Sequence, residues 1–231
     1  RGEDEEHAGW GLNTKWLGKT IIHKESIPTT QRLAHELALD GAKHGTVVIA
    51  DEQTEGKGRV DRKWHSEKGQ GIWMSIILRP NILPYLAPQL TLLTATVLAD
   101  VIDRLTEVRP QIKWPNDILI NDKKMAGILT EMQAEQDQVL YVIIGIGINI
   151  NHTKDDFSDE LLTKATSLRI ETEKKWDMLP IIQEILETFE NKYSNFLEQG
   201  FDPVKQDWEN YGFRLKERLH IKSGNKEWEG I

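Results

Sequence analysis

Apolar residues along the chain fall into short dense runs separated by polar, glycine-containing segments. The run "KTIIHKESI" (19–27) predicts a strand, and "TVVIADEQ" (46–53) a second, buried one. Between them, Leu33, Ala34 and Leu37 share one face of a helix that Thr29 or Thr30 can cap and Gly41 or Gly45 can end. "GIWMSIILRP" (71–80) is a further strand, closed by Pro80. Apolar residues at 90, 93, 97, 101 and 105 mark a buried helix over 88–107. "QIKWPNDILINDKKMAGILTEM" (111–132) predicts a β-hairpin turning at Asn121-Asp122. Pro115 makes its first arm bent or an edge, and Lys124 alternates with Ala126 along its second arm. "VLYVIIGIGINI" is a central strand, and 179–200 an amphipathic helix ended by Gly200.

This order predicts an α+β fold, with a mixed, largely antiparallel sheet and helices on one face. Residues 1–18 are polar and acidic and are expected to be a lead-in or linker, with Trp10 and Trp16 placed to dock on the body. The main domain is expected over 19–212. The tail 213–231 looks like the start of a small β module.

The formal charge is -8 and the pI about 5.4. Nucleic-acid binding across the general surface is disfavoured, so positive charge must act locally. With no cysteine, disulfides, thiolate metal sites and a cysteine nucleophile are ruled out, which fits a cytoplasmic protein. No apolar run approaches the roughly 20 residues of a membrane span.

"EGKGRVDRKWHSEKGQG" (55–71) concentrates five cations and four glycines. Glycines expose backbone N–H groups, and Arg59 and Arg62 carry forked donors suited to carboxylate or phosphate oxygens. A solvated surface loop is the alternative. Lys124 is either an edge-strand lysine or an ammonium kept for a ligand, and Asp117 a ligand-facing carboxylate or a structural ion-pair partner. "GIGIN" (145–149) is either tight sheet packing or room for a ligand. Gly56-Lys57 fails the Walker pattern, "HELAL" fails the zinc HExxH pattern, and no histidine spacing marks a metal site.

Taken together, "GKGRVDRKW" (56–64), "KWPND" (113–117), "KMAGIL" (124–129) and "GIGIN" (145–149) resemble biotin protein ligase, most closely the ligases of Gram-positive bacilli. The resemblance covers about residues 20 to 200. It implies a catalytic fold like that of class II aminoacyl-tRNA synthetases, followed by an SH3-like module. It implies ATP and biotin as substrates, with magnesium accompanying ATP, and biotinyl-5′-AMP as intermediate. The acceptor would be a lysine of a biotin carboxyl carrier domain, as in acetyl-CoA or pyruvate carboxylase. A homodimer is also implied. Some relatives bind DNA through a winged helix-turn-helix, and no such unit is legible in this sequence.

By motif position, Thr29, Thr30 and Gln31 match a segment lining the biotin pocket, and Gln53 a residue near the ureido group. Gly56, Lys57, Gly58 and Arg59 match the loop over carboxylate and phosphate, and Arg62 and Trp64 residues ordered around the nucleotide. Lys124 matches the lysine at the reacting carboxyl oxygen, and Asp117 a residue aligning the acceptor lysine or the metal–phosphate group. Asn116 and Asn149 match nucleotide-side positions, and Gly127 the pocket lining. The family usually has arginine where this chain has Lys57, which replaces a fork with a point charge. A lipoate ligase or octanoyltransferase of the same fold is the nearest rival. A biotin-sensing repressor and a non-catalytic ligand-binding module are the others.

Overall fold

In the computed structural model, the described residues are 8–56 and 69–212. Seven strands form one sheet: β1 (Ile21–Ile27), β2 (Val47–Gln53), β3 (Gly71–Leu78), β4 (Gln111–Lys113), β5 (Asp117–Ile120), β6 (Lys123–Glu135) and β7 (Gln138–Asn149). Their order is β1-β2-β3-β7-β6-β5-β4, so β7 is central as expected. Among the strand pairings of the described residues, β1 with β2 is parallel and the other five are antiparallel. The parallel pair needs a crossover, which α1 (Thr30–Leu39) supplies. Thr29 caps it, its hydroxyl accepting from the Arg32 N–H at 2.9 Å.

The two faces are packed differently. Helices α2 (Ala87–Thr106), α5 (Met178–Gln199) and α6 (Asp202–Tyr211) bury one face of the sheet. Alternate residues of the strands feed this core: Ile72, Met74 and Ile76 from β3, and Ile144, Ile146 and Ile148 from β7. α1 lies on the opposite face, where Ala34 and Ala38 meet Val48, Ile77, Tyr141 and Ile143 in a smaller cluster. One ten-residue helix cannot cover a seven-stranded sheet, and the described residues leave part of that face open. α2 has the length and hydropathy of a membrane span, but most of it is buried inside the molecule as a core helix.

Three features depart from the sequence pattern. The expected first hairpin arm is two strands, β4 and β5, folded back on each other at Trp114–Asn116, with Lys113 opposite Asp117. The turn at Asn121-Asp122 stands as read, both residues having left-handed φ (50° and 65°) as a type I′ turn requires. The short helices α3 (Asp159–Leu162) and α4 (Leu168–Thr172), together with α6, are additional; in α6, Val204, Trp208 and Tyr211 are buried at helical spacing. Finally, the lead-in is attached well before residue 19. Leu17 is fully buried, and the backbone N–H groups of Lys15, Trp16 and Leu17 all donate to the Glu190 carboxylate on α5. Burial pushes that carboxyl's pKa up, but the three backbone donors and nearby Lys19 outweigh burial and hold it below the usual range.

Candidate functional site

The open face holds a cavity of about 310 Å³ between α1 and strands β6 and β7. That size is within the range of small-molecule sites. Its floor is set by strand register. Gly127 pairs with Gly147, and Leu129 with Gly145, so neighbouring strands present little side chain there. The functional reading of "GIGIN" is thereby given a shape: Gly145 and Gly147 line the cavity. Gly145 also answers the packing reading. A Cβ there would sit 2.6 Å from the Gln31 amide oxygen.

The wall comes from the start of α1. Ser75 of β3 donates to Gln31 Oε1 at 2.7 Å and shares a 2.8 Å hydrogen bond with the Thr30 hydroxyl. The Gln31 amide nitrogen donates to the carbonyls of Leu129 and Ile143. Thr30 N–H donates to Gln53 Oε1 at 2.8 Å. Thr30, Gln31, Gln53 and Ser75 are thus one hydrogen-bonded unit spanning α1, β2, β3, β6 and β7, with the N-cap Thr29 beside it on the cavity lining.

The charged end is built by a β-bulge. Ile118 pairs with Ala126 but Leu119 pairs with Lys124, leaving Met125 as the extra residue. Strict alternation would put Lys124 on Ala126's face, away from Gly127. The bulge sends Met125 into the apolar core and turns Lys124 onto the cavity face beside Gly127. Asp117, opposite Gly127 on β5, then meets Lys124 at 3.1 Å. The backbone of Lys124 is held from outside the sheet: its N–H donates to Lys164 O, and its carbonyl accepts from Thr166 N–H. Asn116 braces the same corner, donating to Ile128 O at 2.9 Å and lining the cavity.

Asn149 does not line the cavity. It is buried, with its amide donating to Thr166 O, and so supports the segment that holds Lys124. Gly56 is buried at the end of the described segment. Lys57, Gly58, Arg59, Arg62 and Trp64 lie outside the described residues, as does the tail module 213–231. Sequence reasoning missed Ser75, Arg32, His35, Glu55 and Glu131. Arg32 and Glu55 form an ion pair at the cavity rim. His35 and Glu131 pair at 3.1 Å. His35 lies one turn after Gln31 on α1, a spacing that could have pointed to it.

Known proteins fit this geometry. The family model for the biotin/lipoate A/B protein ligase family matches residues 24–149, which contain every residue of the cavity. The chain belongs to that family. It is 48% identical over 226 residues to the bifunctional ligase/repressor BirA of Bacillus spizizenii, covering 98% of this chain and 70% of that one. The Bacillus subtilis protein of the same name is 46% identical over the same span. Among solved structures, the biotin protein ligase of Aquifex aeolicus, in complex with biotin and ATP, superposes with a TM-score of 0.71. It is 31% identical, with 84% of this chain and 79% of that one covered.

Proposed function

We infer that this protein is a biotin protein ligase, joining biotin to a carrier protein at the expense of ATP. The observation that carries the reading is a cavity with a hydrogen-bonding wall of Thr30, Gln31 and Gln53 and a bulge-positioned lysine at one end, in a chain of this family. The wall suits a ring with amide-like donors and acceptors. The lysine suits a carboxylate. An amide-rich wall offers a lipoyl dithiolane nothing to bond, so the lipoate alternative is disfavoured.

The chemistry follows in two steps. A biotin carboxylate oxygen attacks the α-phosphorus of ATP, and the bond from that phosphorus to the pyrophosphate oxygen breaks. Two anions approach each other, so the Lys124 ammonium lowers the barrier by offsetting their repulsion. Asp117 keeps that ammonium aimed. In the second step a lysine amine of the carrier attacks the carbonyl carbon of biotinyl-5′-AMP. The carbonyl–oxygen bond to AMP breaks, the amine loses its proton, and an amide remains. The Thr30–Gln31–Ser75 and Gln53 hydrogen bonds hold the ring end still, which converts encounter into orientation. Lys57, Gly58, Arg59, Arg62 and Trp64 are assigned to the carboxylate–phosphate side by their motif positions. Magnesium enters with ATP as counter-ion to its phosphates; among the described residues no cluster of three His, Asp or Glu forms a resident metal site. The acceptor is the biotin carrier domain of a carboxylase.

ATP–pyrophosphate exchange tests the reading. Biotin-dependent exchange is expected. Exchange driven by lipoate or octanoate in place of biotin would overturn it.

A further inference from the structure

The bulge that turns Lys124 onto the cavity face is gripped from outside the strands that form it. β7 pairs with β6 from Ala126 onward, so Lys124 lies past the end of that pairing. A bulge also disrupts the ladder locally, and the direction of its side chains then depends on what holds the backbone beside it. Here residues 164–166, between α3 and α4, take the place that β7 has left. They run parallel to β6, with Ala165 abreast of Lys124. Lys124 N–H donates to Lys164 O at 2.8 Å, and Thr166 N–H donates to Lys124 O at 2.9 Å.

A side-chain clasp on α4 holds this segment. Thr166 is fully buried, and its hydroxyl donates to Glu171 Oε1 at 2.6 Å, a length typical of a charge-assisted bond. The other carboxylate oxygen of Glu171 accepts from the Asn121 side-chain amide at 2.7 Å. Asn121 begins the β5–β6 turn, three residues before Lys124. One carboxylate thus ties the segment beside Lys124 to the turn that leads into it. Glu171 does not line the cavity, and neither chemical step calls on it.

We propose that Glu171 is a positioning residue for Lys124, acting through Thr166 and Asn121 to keep the bulge in the form that aims the ammonium into the cavity. The proposal rests on the biotin reading, in which Lys124 receives the carboxylate. Without the clasp, the buried Thr166 hydroxyl loses its acceptor and the segment is free to shift against the turn. The Lys124 backbone shifts with it. Rate falls steeply when a group that orients a reactant is slightly misplaced, so the loss falls on the carboxylate end of the ligand.

The test combines biotin-dependent ATP–pyrophosphate exchange with calorimetric binding of biotin and of its neutral primary amide. Glu171→Ala is expected to lower kcat/KM for biotin about tenfold and the preference for acid over amide by a similar factor, with affinity for the amide unchanged. Glu171→Gln keeps an acceptor for Thr166 and should recover most of the loss. In a Lys124→Ala background, Glu171→Ala should add less than about twofold, because two residues acting through one ammonium are not additive. Unchanged kinetics and preference, equal losses for acid and amide, or full additivity in the double variant would each overturn the proposal. Should Glu171→Ala fail to fold, Thr166→Val carries the test with the same sign and a smaller loss. Failure of the biotin reading is separate, since it appears as absent biotin exchange in the wild type.

Discussion

The two faces of the β6–β7 ribbon are written by the same residues taken alternately, and they have opposite characters. Toward α2 and α5 the ribbon offers Ala126, Ile128, Ile144, Ile146 and Ile148, all buried in the main core. Toward α1 it offers Gly127, Leu129, Glu131, Gly145 and Gly147, which line a cavity. The first face stabilises the fold by excluding water. The second leaves burial unfinished and is thereby available to a ligand. A strand thus separates stability from chemistry by parity alone, and a single bulge at Met125 moves one lysine from the first category to the second.

The sharpest way to break this comparison is to remove the group the bulge delivers. Lys124→Ala should lower the rate of biotin-dependent exchange by about 10²–10³-fold, the usual effect of losing one charge-stabilising donor. Its melting temperature should stay near that of the wild type, because the side chain is partly exposed and its partner Asp117 can be hydrated. On the closed face the expectation reverses. Ile144→Ala should cost about 2–5 kcal/mol in denaturant unfolding, since Ile144 is fully buried, while kcat/KM for biotin in the folded protein stays within a few-fold.

Gly145→Ala probes the seam between the faces. The new methyl would meet Gln31 Oε1, so Gln31 must shift and its bond from Ser75 is lost. Biotin affinity measured by calorimetry should fall about tenfold, with a stability loss of about 1 kcal/mol. The smallest effect belongs to Glu190, far from the cavity. Its folded pKa is depressed, so its contribution is present above the ordinary carboxylate range near pH 4.3 and is lost as pH falls through the folded value. Glu190→Gln should destabilise by about 1 kcal/mol at neutral pH, and its unfolding curve should converge on that of the wild type in acid.

Much of this was legible in the sequence. β2, β3, β7, α2 and α5 follow from dense apolar runs and helical spacing. Thr29, Thr30, Gln31, Gln53, Asn116, Lys124 and Gly127 do gather around one cavity. What escaped has physical reasons. A bulge adds a residue without changing composition, so Met125 reads as an ordinary strand position. Every residue of β3 is buried, which erases the two-residue alternation that would have marked Ser75 as facing α1. The parallel pairing of β1 with β2, and with it the placing of α1 against the opposite face, depends on a crossover that local patterning does not encode. Trp10 and Trp16 pack against the core as expected, but the lead-in still looked like a linker because its polar attachment is by backbone N–H groups, which every sequence has, to a glutamate more than 170 residues away.

The central claim is that the bulge places Lys124 to receive the carboxylate of biotin. It is tested most directly by calorimetric binding of biotin and of its neutral primary amide to the wild type and to Lys124→Ala. The wild type should prefer the acid, and the variant should bind both alike, with affinity for the amide little changed. An equal preference for the acid in both proteins would show that the carboxylate is held elsewhere and would contradict the account.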